Sequence, residues 1–296
     1  MRRRITRSLI SYLATIALLG GLLGLPLRVV AGGPPPVVEV IVQGHTQQGA
    51  AIAARAHRGQ VTRELSIING VVARVPRPAL EGLLKNPRVV RVSENRTVQV
   101  EPPCLYYPSP VYPFEPSHRY PETWYPKLVG AEPLHEDGVK GDGVTVAVVD
   151  TGYWSHSAID MNSDGEFRAL AYYDAIRGRA VEWTRPPGYD LDPNGHGTHV
   201  SSIILSSRQT REGDFNGVAP DANLVSVRAF GADGAGSYAD IIRGIDWVVT
   251  NKNAYNIRVL NLSFSAQPRS YYWDDPLNQA VMKAWQAGIV VVASAG

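Results

Sequence analysis

At 296 residues the chain is long enough for one sizeable core plus a small extra domain, and its 44% hydrophobic and 19% charged content excludes a disordered or fibrous protein. A single cysteine, Cys104, excludes an internal disulfide framework. The net charge of +2 conceals a division: residues 1–31 hold five Arg and no acid, residues 32–100 hold nine Lys and Arg against four acids, and residues 101–296 hold fifteen against twenty-three. A basic segment ahead of an acidic one suits docking of the first on the second, and the acidity of the larger part argues against nucleic acid as its partner.

Arg2, Arg3, Arg4 and Arg7 precede an apolar run from Leu9 to Leu27 that is broken by Gly20, Gly21, Gly24 and Pro26 and followed by Val29-Val30-Ala31. This predicts a signal peptide over residues 1–31, cut near Ala31, and therefore a secreted protein with no stable membrane anchor. Residues 32–100 then read as strand Val37–Val42, helix Gln47–Arg58, strand Gly70–Val75, helix Pro78–Leu84 and strand Val89–Val92, with room for one more strand before Gly70. The order suits a small α+β sandwich of the ferredoxin-like kind. Residues 101–128, dense in Pro and Tyr, read as a linker.

From residue 129 onward, strands alternate with helices. The β-branched run Gly143–Val149 is a buried strand that ends on Asp150 and the turn glycine Gly152. Gly195 and Gly197 flank His196 where a loop enters a helix, and the positive end of that helix helps keep the ring neutral and basic. Ala222–Phe230, Asn256–Leu262 and Ile289–Ala293 are further strands, with helices opening at Ser237 and at Asp275-Pro276. Asp160, Asn162 and Asp164 alternate ahead of Gly165 like the first half of a calcium loop, although position twelve is Ala171; a solvated acidic turn is the alternative.

V-V-D-T-G at Asp150 and G-H-G-T-H-V at His196 together resemble the aspartate and histidine motifs of the subtilisin-like serine proteases, the subtilases, in that family's chain order. The resemblance implies an α/β, doubly wound parallel sheet over residues 129–296, with Asp150 and His196 as two members of a catalytic triad and His199 as a structural helix residue. Gly234, Ala235 and Gly236 match the exposed edge on which the family pairs a peptide substrate as an added strand, Tyr238 matches a wall of its pocket, and Ser263-Phe264-Ser265 resembles the substrate-binding S-L-G, with serine in the last place. Residues 32–100 resemble the inhibitory propeptide, an intramolecular partner. No cofactor is required; calcium at Asp160, Asn162 and Asp164 is the one candidate ion, and the solvated acidic turn is the reading it competes with. The family's oxyanion asparagine and its G-T-S-M-A serine motif do not occur before Gly296. The expectation is therefore the amino-terminal part of a secreted endopeptidase acting on peptides or proteins; the alternative is a complete, non-catalytic pseudo-protease that binds and inhibits proteases.

Overall fold

The computed structural model describes residues 35–100, 123–183 and 191–294; the expected signal peptide and most of the expected linker lie outside them. In residues 36–100, β1 (Val37–Gly44), α1 (Gln47–Ala56), β2 (Gln60–Leu65), β3 (Gly70–Pro76), α2 (Leu80–Leu84) and β4 (Val89–Glu94) follow one another. The strands form an antiparallel sheet in the order β2-β3-β1-β4, and β2 occupies the room left for a strand before Gly70. The Thr46 hydroxyl caps α1 by accepting from Gly49 N, and Ala50, Ala51, Ala53 and Ala54 bury its inner face with little side-chain entropy to lose. Alternation along the strands sorts two cores. Val40, Val42, Val71 and Ala73 pack with the helices, while Ile41, Leu65 and Val72 belong to the core of the larger region. That is why β1 is apolar at consecutive positions: both of its faces are covered.

A short strand, β5 (Thr97–Gln99), follows β4. The larger region then runs α3 (Tyr125–Leu128), α4 (Glu132–Glu136), β6 (Thr145–Asp150), α5 (Ser157–Asp160), β7 (Ala169–Asp174), β8 (Arg179–Glu182), α6 (His196–Leu205), β9 (Asn223–Arg228), β10 (Ala235–Ser237), α7 (Tyr238–Asn251), β11 (Ile257–Leu262), α8 (Pro276–Gln286) and β12 (Val290–Ala293). Among the described residues its main sheet has the order β12-β11-β6-β9-β7-β8. The first five strands are parallel, but β8 runs antiparallel to β7, so the sheet is mixed rather than wholly parallel as expected. The cause is local: only Ala175–Gly178 joins the two strands, too short for a parallel crossover, and Gly178 turns with φ 72°.

Every residue of β6 is buried. Val146 and Val148 pack with Ile159 and Leu205 on the α6 side, while Ala147 and Val149 pack with Ile241, Ile245 and Ala280 on the α7 and α8 side. Ser237 caps α7 through Asp240 N, and Asp275 caps α8 through Leu277 N and Asn278 N. No helix among the described residues is long and apolar enough to cross a membrane.

Ion pairs and hydrogen bonds run between the two regions. Arg63 pairs with Asp240 and Arg91 with Asp274; Ile67 N donates to Asp246 at 3.3 Å and Gln43 to Gln279 at 2.6 Å. Burial raises the Asp246 carboxyl above its ordinary 3.8, against backbone N–H groups of Ile67 and Ser66 that favour the anion. The fold thus favours the neutral acid more than the unfolded chain does; that contribution is complete below the ordinary value and is lost as pH rises through the raised one. Asp246→Asn should therefore match the parent in melting temperature near pH 4 and exceed it at pH 7. A lower melting temperature at pH 7 would show that the charge is favoured there.

Arg168, 1% exposed, ties three elements together. Its guanidinium donates to the carbonyls of Ile159 at 2.7 Å and Ala158 at 2.9 Å in α5, to Leu205 at the end of α6, and to Pro220 and Ala222 before β9. Burial lowers its pKa to about 10, with Asp221 and Asp160 opposing the shift. Neither a lysine nor a methionine can satisfy five carbonyls in a plane. Arg168→Met is expected to lose roughly 3–5 kcal/mol of stability in denaturant unfolding, as for other broken buried polar networks.

Candidate active site

The strand β6 carries Asp150 to its carboxyl end, fully buried, and the turn through Gly152 brings the loop Leu191–Gly195 and the start of α6 against it. Contact here is backbone on backbone. A Cβ on Gly152, whose φ is 135°, would lie 2.1 Å from the Leu191 carbonyl oxygen, and one on Gly197 would lie 2.4 Å from the Gly152 carbonyl oxygen. Gly195, at φ 90°, turns the chain into α6. This close approach sets the Asp150 Oδ1 to His196 Nδ1 distance at 2.7 Å. A carboxylate acceptor requires the Nδ1–H tautomer, which makes Nε2 the basic nitrogen. The same Oδ1 accepts from Thr151 N at 2.7 Å.

Asp192 is 4% exposed and accepts from Thr151 Oγ1, Gly195 N, Thr198 N and Thr198 Oγ1 at 2.6–2.9 Å. The Thr151 hydroxyl in turn accepts from Gly197 N at 2.8 Å. One carboxylate thus binds the strand end, the loop and the helix start. His156 caps α5, its Nδ1 accepting from Ala158 N at 3.2 Å. His199 is exposed on α6.

The edge expected to lie open is occupied. Residues 97–99 of this chain pair antiparallel with Ala235–Ser237, Val98 opposite Gly236, and the pairing continues as Val100 N to Gly234 O at 2.9 Å and Tyr238 N to Arg96 O at 2.8 Å. On the far side Gln99 bridges Ser265, so serine in place of glycine does not prevent approach there. Val98 and Val100 sink to 2% and 4% exposure in the core that holds Phe230, Tyr238 and Phe264. Gly234, at φ 73°, comes so near the segment that a Cβ would lie 2.9 Å from Val100 Cγ2. Asn261 Nδ2 donates to Ser263 Oγ at 2.8 Å. The alternation T-V-Q-V over residues 97–100 is the local sign of this strand.

Asp160, Asn162 and Asp164 sit in one turn but face different partners. Asp160 Oδ2 accepts from Ser155 Oγ at 2.8 Å, and burial pushes the Asp160 carboxyl up to about 6. Asn162 Oδ1 accepts from Asp164 N and Glu166 N at 3.1 and 2.7 Å. Among the described residues no group of three or more His, Cys, Asp or Glu is placed to hold a metal ion.

This arrangement has many relatives. The profile of the Subtilase family matches residues 141–296, just over half of the chain. Serine protease AprX of Bacillus subtilis is 37% identical over 161 residues, 53% of this chain and 33% of the relative. Subtilisin E of the same organism is 29% identical over 240 residues, 80% of this chain and 52% of the relative. Fervidolysin from Fervidobacterium pennivorans shares the fold with a TM-score of 0.63 at 22% identity, over 89% of this chain and 40% of its own. The chain spans about half, or less, of the length of these proteins. On the match of the family profile across that share of its residues, the chain belongs to the subtilase family.

Proposed function

We propose that this chain is the amino-terminal part of a secreted serine endopeptidase, made with a signal peptide over residues 1–31 and an inhibitory domain over residues 32–100. The observation that carries the reading is the 2.7 Å hydrogen bond between the buried Asp150 carboxylate and His196 Nδ1 at the mouth of α6. A serine carried by a part of the protein after residue 296 gives its hydroxyl proton to His196 Nε2 as Oγ attacks the scissile carbonyl carbon. Asp150 then stabilises the imidazolium without taking the proton itself. The proton passes on to the leaving amine, and water releases the acyl group from the serine by the same exchange.

Residues 36–100 supply the second half of the reading. Their β-α-β-β-α-β order supports a ferredoxin-like reading, and their arginines meet carboxylates on α7 and ahead of α8. With β5 laid along Ala235–Ser237, the segment holds the place that an extended peptide substrate takes by strand addition. An enzyme folded in this state is blocked by its own chain until the segment leaves.

A fluorophosphonate probe, which labels serines activated by a neighbouring base, tests the proposal. The 296-residue chain should stay unlabelled and the full-length mature protein should label. His196→Ala in that protein should abolish labelling and lower peptide hydrolysis by about 10⁴-fold or more, whereas His199→Ala should leave both in place. Labelling of the 296-residue chain, or hydrolysis that survives His196→Ala, overturns the reading. A full-length protein that binds other proteases without turnover of its own favours the pseudo-protease instead. The proposal also includes a calcium ion at Asp160, Asn162 and Asp164. It should raise the melting temperature of the chain above that in chelator, and equal temperatures dispose of it.

A further inference from the structure

The residue just before β5 is held more elaborately than β5 itself. Arg96 lays its guanidinium 4.4 Å above the Tyr238 ring. It donates to Asp275 Oδ2 at 2.9 Å, to the Tyr238 hydroxyl, and to the Gln267 carbonyl oxygen at 3.2 Å. The receiving groups belong to the body against which the segment lies, and they are built in. With Arg96 and its segment in place, Tyr238 is 3% exposed and Asp275 5%. Asp275 Oδ1 is taken up by the amides of Leu277 and Asn278 at the start of α8, which leaves Oδ2 for the cation; the Tyr238 hydroxyl steadies that oxygen from 3.3 Å.

Strand pairing decides which side chain arrives there. Tyr238 N donates to Arg96 O at 2.8 Å, one residue past the β5 ladder, so residue 96 stands two before Val98, the residue opposite Gly236. Any peptide that pairs with Ala235–Ser237 in this register presents its own side chain to Asp275 and Tyr238. The Asp275 carboxylate, held by the start of α8, and the Tyr238 ring, at the start of α7, lose their cation when Arg96 leaves, and the pair then suits another cation that fills the same place.

Building on the reading of Ala235–Ser237 as the substrate edge, the geometry points to Asp275 and Tyr238 as a specificity-determining pair that takes an arginine side chain of the substrate, two residues before the residue opposite Gly236. Lysine fits less well, because it lacks the planar fork that reaches Oδ2 and the Gln267 carbonyl together.

The test uses the full-length mature protein and three peptides that differ only at this position, with Arg, Lys or Gln. The Arg peptide should show kcat/KM roughly tenfold or more above the Gln peptide, in line with a charge-assisted hydrogen bond, and the Lys peptide should fall between them. In Asp275→Asn, which keeps an oxygen for the α8 cap, the Arg to Gln ratio should fall towards one. Equal kcat/KM for Arg and Gln peptides that are both cleaved overturns the cation subsite and leaves the substrate edge standing, a result read on the unsubstituted protein. A ratio unchanged in Asp275→Asn also overturns it. Cleavage of none of the peptides brings down the substrate-edge reading and this inference with it.

Discussion

Three stretches of backbone, the end of β6, the loop before α6 and the first turn of α6, touch at Gly152 and Gly197 with no space for a side chain. The Asp150–His196 hydrogen bond depends on that contact more than on either side chain's own preferences. Asp150 is fixed because its strand is covered on both faces, and His196 is fixed because glycine lets its helix begin within reach of the strand end. Asp192 then locks the three stretches with hydrogen bonds to Thr151, Gly195 and Thr198. A pair held in this way has its geometry fixed by the fold.

The parts of this arrangement that rest on local chemistry were legible in the sequence. The run T-V-A-V-V before Asp150 could only be a strand covered twice, glycines on both sides of His196 marked a tight entry to a helix, and Ser237 and Asp275 signalled helix caps that form as read. The charge division is consistent with the ion pairs between the two regions, Arg63 with Asp240 and Arg91 with Asp274. In each case the signal and its partner lie within a few residues, or follow from burial alone.

What escaped the sequence depends on partners far along the chain. The β7–β8 hairpin sits in a stretch where A-L-A-Y-Y-D mixes apolar and polar residues without a clean period, because β7 packs on both faces while β8 lies exposed at the edge. Arg168 looks like any surface arginine until Ala158, Leu205 and Pro220 converge on it. Nothing in T-V-Q-V says that its partner is Ala235–Ser237, more than a hundred residues later, since strand pairing is set by tertiary contact rather than by local preference.

Only Asn95 and Arg96 separate β4, which belongs to the docked sheet, from β5, which pairs with Ala235–Ser237. The amino-terminal region is in this sense a bivalent ligand joined by a very short link, and each attachment holds the other at a high effective concentration. A peptide competing for the edge faces a neighbour that rebinds far faster than it can diffuse away. Cutting the chain at that link would leave two monovalent pieces, each bound only by its own contacts, without altering a single contact at either surface. Cover over the Ala235–Ser237 edge thus depends on the integrity of two residues that touch neither Asp150 nor His196.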